Sequence, residues 1–268
     1  MRNKSVIFCL LFLVHGVFGA DEVSVSLMVG DSVTLRTDET EIQGAEKLQW
    51  RIQGENKFIA IIDRETSETS VPGNEEERFS GRLGVNSTTG SLTITNLRTT
   101  DSRVYELQIK TGRETKSKIF NITVKVKGGG KTKSVKEGEI IILHTGVNDI
   151  VGYDQILWKT EDVIVGEINK KTNIYDIEEE RFKGRLQLNE KSGSLTISDS
   201  KTKDSGVYHL NMSSSTHTLQ RTISVTVREQ DMTDRKTLIG IIVFLVLLLV
   251  GAIAGFLIYW KWTSKYQI

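Results

Sequence analysis

Enzyme chemistry needs a nucleophile with a base and an orienting group beside it, a metal cage, or a cradle for phosphate. The 268-residue chain offers four histidines and one cysteine for such work. His144 and His209 each precede a position that the local apolar alternation turns inward, so both point to solvent. His217 reads as a loop residue without ligand-type neighbours at metal-binding spacing. Neither Gly-x-Ser-x-Gly nor a phosphate-binding glycine loop occurs. The expectation is a protein with no catalytic, cofactor-binding or metal-binding residues and no small-molecule substrate.

Binding chemistry is less restricted. The formal charge is +1 and no segment is strongly one-signed, which argues against a nucleic-acid partner. Asn86-Ser87-Thr88, Asn121-Ile122-Thr123 and Asn211-Met212-Ser213 are acceptor sequons for N-linked glycan. They matter only in a lumenal chain, and residues 1–20 supply the address. Arg2 and Lys4 open that segment, an apolar run over 6–14 follows, and Gly19 and Ala20 are small exit residues, the pattern of a secretory signal peptide. The one cysteine, Cys9, lies inside it, so the processed chain is expected to fold without disulfides in a compartment that would allow them.

Near the other end, residues 238–259 carry no charge. At about 1.5 Å per residue a helix there spans roughly 33 Å, enough for a bilayer core. Trp260 and Trp262 flank it as interface anchors. The reading is a stalk over 229–237, a transmembrane helix over 238–260 and a cytoplasmic tail over 261–268, with the N-terminus outside at the plasma membrane. Gly251 and Gly255 are spaced to let two such helices approach closely. The span holds no acid or base to grip a charged signalling adaptor.

Between these ends the chain repeats. Trp50 recurs as Trp158. Arg78-Phe79-Ser80-Gly81-Arg82 recurs as Arg181-Phe182-Lys183-Gly184-Arg185. Gly90-Ser91-Leu92-Thr93-Ile94 recurs as Gly193-Ser194-Leu195-Thr196-Ile197, and Asp101-Ser102-Arg103-Val104-Tyr105 as Asp204-Ser205-Gly206-Val207-Tyr208. The spacing shortens after the Trp, so the first copy is expected to carry extra loop residues around 66–77. Residues 128–130, all glycine, separate the copies and favour a flexible joint. Within each copy the apolar period is two, as half-buried strands require. Leu48, Trp50 and Ile52 alternate with Gln49, Arg51 and Gln53, and Ile156 and Trp158 repeat the pattern.

Together these motifs resemble a pair of variable-type immunoglobulin domains, over 21–127 and 128–228. The resemblance implies an all-β fold of two tandem Greek-key sandwiches followed by one transmembrane helix. Two-domain surface proteins with a disulfide-free variable-like first domain resemble the signalling lymphocytic activation molecule (SLAM) family. This chain departs from that family in its second domain, which is again variable-like and cysteine-free.

The resemblance places the missing intersheet cysteines at Thr37 and Leu107 in the first copy and at Thr145 and Leu210 in the second. A small residue then opposes a large one beside Trp50 or Trp158, and apolar packing replaces the bridge. Each Thr hydroxyl must find a backbone carbonyl. The resemblance also suggests ion pairs Arg78–Asp101 and Arg181–Asp204 closing one end of each domain.

In the SLAM family binding uses the sheet of strands G, F, C and C′. Here strand parity turns Gln49, Arg51, Gln53, Glu106, Gln108 and Lys110 outward on that sheet. The expected role is cell–cell adhesion or recognition, of immune cells, through this face of the first domain. The partner implied is another immunoglobulin-like surface protein or a second copy of the chain. The alternative is a spacer or non-catalytic subunit held to a signalling partner in the membrane.

Overall fold

Apolar residues at period two form strands wherever one face can be buried. A computed structural model describes residues 22–112, 114–126, 132–172, 174–176, 180–229 and 232–265. The expected signal peptide over residues 1–20 with Cys9, the three glycines at 128–130 and residues 266–268 lie outside the described residues.

The first sandwich holds β1 (Glu22–Met28), β2 (Ser32–Leu35), β3 (Lys47–Ile52), β4 (Phe58–Asp63), β5 (Glu68–Ser70), β6 (Leu83–Val85), β7 (Leu92–Ile94), β8 (Val104–Thr111) and β9 (Glu114–Lys125). The second repeats them as β10 (Thr132–Lys136), β11 (Ile141–Leu143), β12 (Gln155–Thr160), β13 (Val163–Asn169), β14 (Ile174–Asp176), β15 (Leu186–Leu188), β16 (Leu195–Ile197), β17 (Gly206–Ser213) and β18 (His217–Arg228). In the first, β1 runs parallel to β9, and the sheet continues through β8, β3, β4 and β5. Strands β2, β7 and β6 face it across the core. The second copy has β10 parallel to β18, then β17, β12, β13 and β14, over a sheet of β11, β16 and β15. In immunoglobulin lettering β3, β4, β8 and β9 are C, C′, F and G.

The repeated motifs explain the packing. Trp50, Tyr105, Leu107 and Phe120 are fully buried in one core, and Trp158, Tyr208 and Leu210 in the other. Gly90 and Gly193 open the Gly-Ser-Leu-Thr-Ile runs with φ of +72° and +67°, a conformation that favours glycine. Their carbonyls accept the indole N–H of Trp50 at 2.9 Å and of Trp158 at 2.8 Å. Tyr105 and Tyr208 each donate a hydroxyl hydrogen bond to the carbonyl of Asp101 or Asp204, at 3.1 and 2.8 Å.

The ion pair at the end of each sandwich differs from expectation. Arg82, not Arg78, grips Asp101 with both terminal nitrogens, at 2.7 and 2.8 Å. Arg185, not Arg181, does the same to Asp204, at 2.6 and 2.9 Å. Gly81 and Gly184 both adopt positive φ, +74° and +71°, a turn shared by the two copies that precedes the inward-pointing fifth residue of Arg-Phe-x-Gly-Arg. Arg78 instead lies over the Phe79 ring and pairs with Glu55 and Glu76. Arg181 lies over Phe182 and pairs with Glu161. The extra length of the first copy is also divided. Arg51 pairs with Phe58 while its counterpart Lys159 pairs with Ile164, so part of it sits in the turn after β3.

The two sandwiches are joined along a sheet edge. The first half of β18 pairs antiparallel with β2, in the register His217↔Leu35 to Gln220↔Ser32. The second sandwich's main sheet thus continues into the β2–β7–β6 sheet of the first. Beside this ladder Arg221 donates to both carboxylate oxygens of Asp31 at 2.7 Å, with both residues buried. The same guanidinium reaches the carbonyls of His144 and Thr145. Arg36 adds a backbone bond to Thr216 at 2.7 Å.

A single helix, α1 (Met232–Lys265), follows. It runs through the residues expected as the span, 238–260, and also covers most of those expected as the stalk, 229–237. Its segment Thr237–Lys261 is long and apolar enough to cross a membrane, and none of its most apolar window is buried against protein.

Candidate protein-binding face

Residues that alternate outward along β3, β4, β8 and β9 share one surface of the first sandwich. Gln49 lies opposite Gln108 on β8 and Ile61 on β4, while Arg51 lies opposite Glu106 and Phe58. On the far side Gln108 faces Ser117 and Glu106 faces Ile119. Of the six residues expected here, Gln49, Arg51, Glu106, Gln108 and Lys110 fall on the sheet. Gln53 lies just beyond the end of β3, held by its backbone N–H to Val104 at 2.9 Å.

The centre of this face is an ion pair. Arg51 donates to Glu106 Oε2 through Nε at 2.8 Å and through a terminal nitrogen at 2.7 Å. Ser117 and Gln108 donate to the other oxygen, at 2.8 and 3.2 Å. Burial alone would raise the Glu106 carboxyl, but these hydrogen bonds and the Arg51 charge outweigh it and hold it below the usual glutamate range. Glu106 and Gln49 are both only 6% exposed, although strand parity aims them outward. Half-buried Phe58, Ile61 and Ile119 wall them in, a contribution that reading charges alone had missed. Gln49 Oε1 has no hydrogen-bond partner. Lys47 and Asp63 close one rim at 2.7 Å.

The cysteine-replacing positions are also fixed. Thr37 donates its hydroxyl to the carbonyl of Thr89, and Thr145 donates to that of Ser192 at 2.6 Å. Thr145 is fully buried and Thr37 half-buried. Leu107 and Leu210 lie in register with Trp50 and Trp158 on the neighbouring strands.

Among the sequons, Asn86 is exposed, and Asn121 and Asn211 are half-buried. Asn86 and Asn211 line one polar cleft of about 500 Å³ between the sandwiches, with Thr34, Gln155 and Gln220. Nothing in the linear order of the chain predicts that meeting. Gly251 and Gly255 lie on α1 with open space where a side chain would project.

His217 departs from its expected loop. It opens β18, is buried, meets Tyr153 edge-on at 5.3 Å and lies 3.2 Å from its hydroxyl. Burial pushes its imidazole down to about 4. His144 and His209 are exposed. Among the described residues no group of three His, Cys, Asp or Glu could hold a metal.

Comparison with known proteins agrees with this architecture. Among solved structures the chain is similar to the first immunoglobulin-like domain of human CD48, at 24% identity over 37% of this chain and 81% of that one, with a TM-score of 0.33. It is similar to CD84, described for its insight into SLAM family function, at 19% over 40% and 100%, TM-score 0.33. It is also similar to murine CEACAM1b, at 20% over 78% and 99%, TM-score 0.32. Compared with curated protein sequences, the chain finds no match. The immunoglobulin V-set domain profile matches residues 20–126 and again 154–228, one stretch in each sandwich. With both matches falling on strands that carry the same Trp, Tyr and Arg–Asp arrangement, the chain belongs to the immunoglobulin V-set family.

Proposed function

We propose that the protein is a single-pass type I receptor or ligand at the plasma membrane, and that it recognises another immunoglobulin-like surface protein through the β9–β8–β3–β4 face of its first sandwich. The observation that carries this reading is the Arg51–Glu106 pair with its surroundings. A buried carboxylate paired with a half-buried guanidinium, ringed by half-buried apolar groups and with an unpaired amide oxygen beside it, has the make-up of an interface centre rather than of a solvated surface. Charged groups held in fixed geometry favour selective pairing more than raw affinity, which suits contact between cells. Helix α1 anchors the display.

The test is binding of cells displaying the full chain to a panel of immune cells and to each other. Arg51→Glu places two carboxylates side by side and should abolish adhesion, while surface expression and recognition by a conformation-sensitive antibody persist. The double reversal Arg51→Glu with Glu106→Arg rebuilds an ion pair of opposite orientation and should not restore it. Unchanged adhesion by Arg51→Glu would remove this face from consideration.

A further inference from the structure

The contact between the sandwiches joins two surfaces that the repeat duplicates. One is the outer edge of β2, the other the first half of β18. Their counterparts are the outer edge of β11 in the second sandwich and the first half of β9 in the first. Among the described residues neither counterpart edge has a strand partner: β11 pairs only with β16, and β1 joins β9 only from Ile119 onward. Unpaired backbone on such an edge is a template for another strand.

The charges that lock the internal contact are duplicated too. Asp31 has Glu139 as its counterpart, and the two carboxylates hold equivalent turns. Asp31 accepts the Met28 N–H at 2.9 Å, and Glu139 accepts the Lys136 N–H at 2.9 Å. Arg221 has Lys118 as its counterpart, again a buried cation on the last strand. Arg221 bridges its own sandwich, at the Thr145 carbonyl, to Asp31 of the neighbouring one. Lys118 has the first half of that arrangement, with Glu41 of its own sandwich at 2.8 Å. The second half, a carboxylate from a neighbour, is unfilled, while Glu139 stands exposed. Where β2 presents Ser32 and Thr34, β11 is flanked by Ile140, 59% exposed, and carries Ile142, 38% exposed. The Ile142 carbonyl accepts from the Lys133 ammonium at 2.8 Å, a side-chain contact that an incoming strand would displace.

We propose that a second copy of this chain docks here, its β9 edge pairing with β11 as β18 pairs with β2 within one chain. The register sets Thr115 opposite Ile142 and brings Glu139 beside Lys118. The site borders the face proposed above along β9, but it uses the edge backbone of that strand and not the Arg51–Glu106 pair, so it stands or falls without that reading. The contact joins unlike surfaces, so each added copy leaves one edge open and the assembly grows head to tail.

Opposed Cα atoms on antiparallel strands lie about 4.5–5.5 Å apart, within disulfide reach. The test therefore uses full-length chains with two tags, one bearing Thr115→Cys and the other Ile142→Cys, coexpressed and mildly oxidised at the cell surface. The expected result is a mixed disulfide dimer, and a ladder of larger products when one chain carries both cysteines. Adding Glu139→Lys should cut the yield at least about tenfold, as repulsion replaces a desolvated pair. Monomer alone after oxidation would overturn the proposal. So would same-tag dimers as abundant as mixed ones, or a yield indifferent to Glu139→Lys.

Discussion

Asp31→Asn separates the two roles of the buried carboxylate between the sandwiches. The amide oxygen can still accept the Met28 N–H, so the turn before β2 keeps its hydrogen bond. The charge facing Arg221 is lost. Were Arg221 forced to stay buried, breaking the pair would cost about 3–5 kcal/mol. It has an escape, because parting the two sandwiches returns the guanidinium to water. What resists parting is a ladder of four residue pairs, which at about 0.5–1.5 kcal/mol per hydrogen bond contributes roughly 2–6 kcal/mol. The two amounts are comparable, so the substitution should bring docking close to balance rather than unfold either sandwich. Hydrogen exchange read by mass spectrometry gives the answer. Amides over 32–36 and 216–221 should exchange about 100-fold faster, the equivalent of some 3 kcal/mol. Each sandwich should keep its melting temperature to within about 4 °C, less than about 1 kcal/mol. Adding Arg221→Met should recover part of the protection, since no buried charge is then left alone. If Asp31→Asn leaves the edge amides protected while the first sandwich melts early, the pair stabilises one domain and the reasoning fails.

Three further outcomes follow from the packing. Arg82→Met leaves Asp101 buried without its cation and should destabilise the first sandwich by about 3–5 kcal/mol in urea, whereas Arg78→Ala, on a partly exposed pair, should cost under about 1 kcal/mol. The low His217 value means that the unfolded chain binds the proton more readily than the folded one. Stability is therefore full above about pH 6.5 and falls by about 2–3 kcal/mol as the pH drops toward 4, and His217→Asn should flatten that slope in a chemical-denaturation series. Asp204, where burial would raise the carboxyl but the Arg185 hydrogen bonds hold it low, loses its contribution mainly at more acid pH than His217 does. Leu210→Ala empties space beside Trp158 and should cost the second sandwich about 2–5 kcal/mol, measured by thermal melting.

Strand order and core were legible because period-two alternation and the motifs around Trp50, Gly90 and Tyr105 are local signals that occur twice. The same parity puts Gln49, Arg51, Glu106, Gln108 and Lys110 on one face of β3 and β8, but it does not show the burial of Gln49 and Glu106 beneath their neighbours. Three features had no such signal. The choice between Arg78 and Arg82 goes with the backbone turn at Gly81, repeated at Gly184, whose direction a run of residue types does not reveal. His217 follows three serines and a threonine that read as loop, and only Tyr153, far away in the chain, makes it a buried strand residue. The union of β2 with β18 joins positions at opposite ends of the two-sandwich region, across glycines that suggest independent motion. Edge pairing is made by backbone groups common to every residue, so composition leaves no mark of it.

The shared edge bears on how tension would travel. A pull on the first sandwich would reach α1 along two routes in parallel: the covalent connection from β9 to β10, and the seam between β2 and β18. Hydrogen bonds and one ion pair yield long before peptide bonds do, and the seam ends on the same strand that leads toward α1. Load is thus taken first by the seam, which parts and lengthens the molecule while both sandwiches remain intact, and it can close again when the load is released.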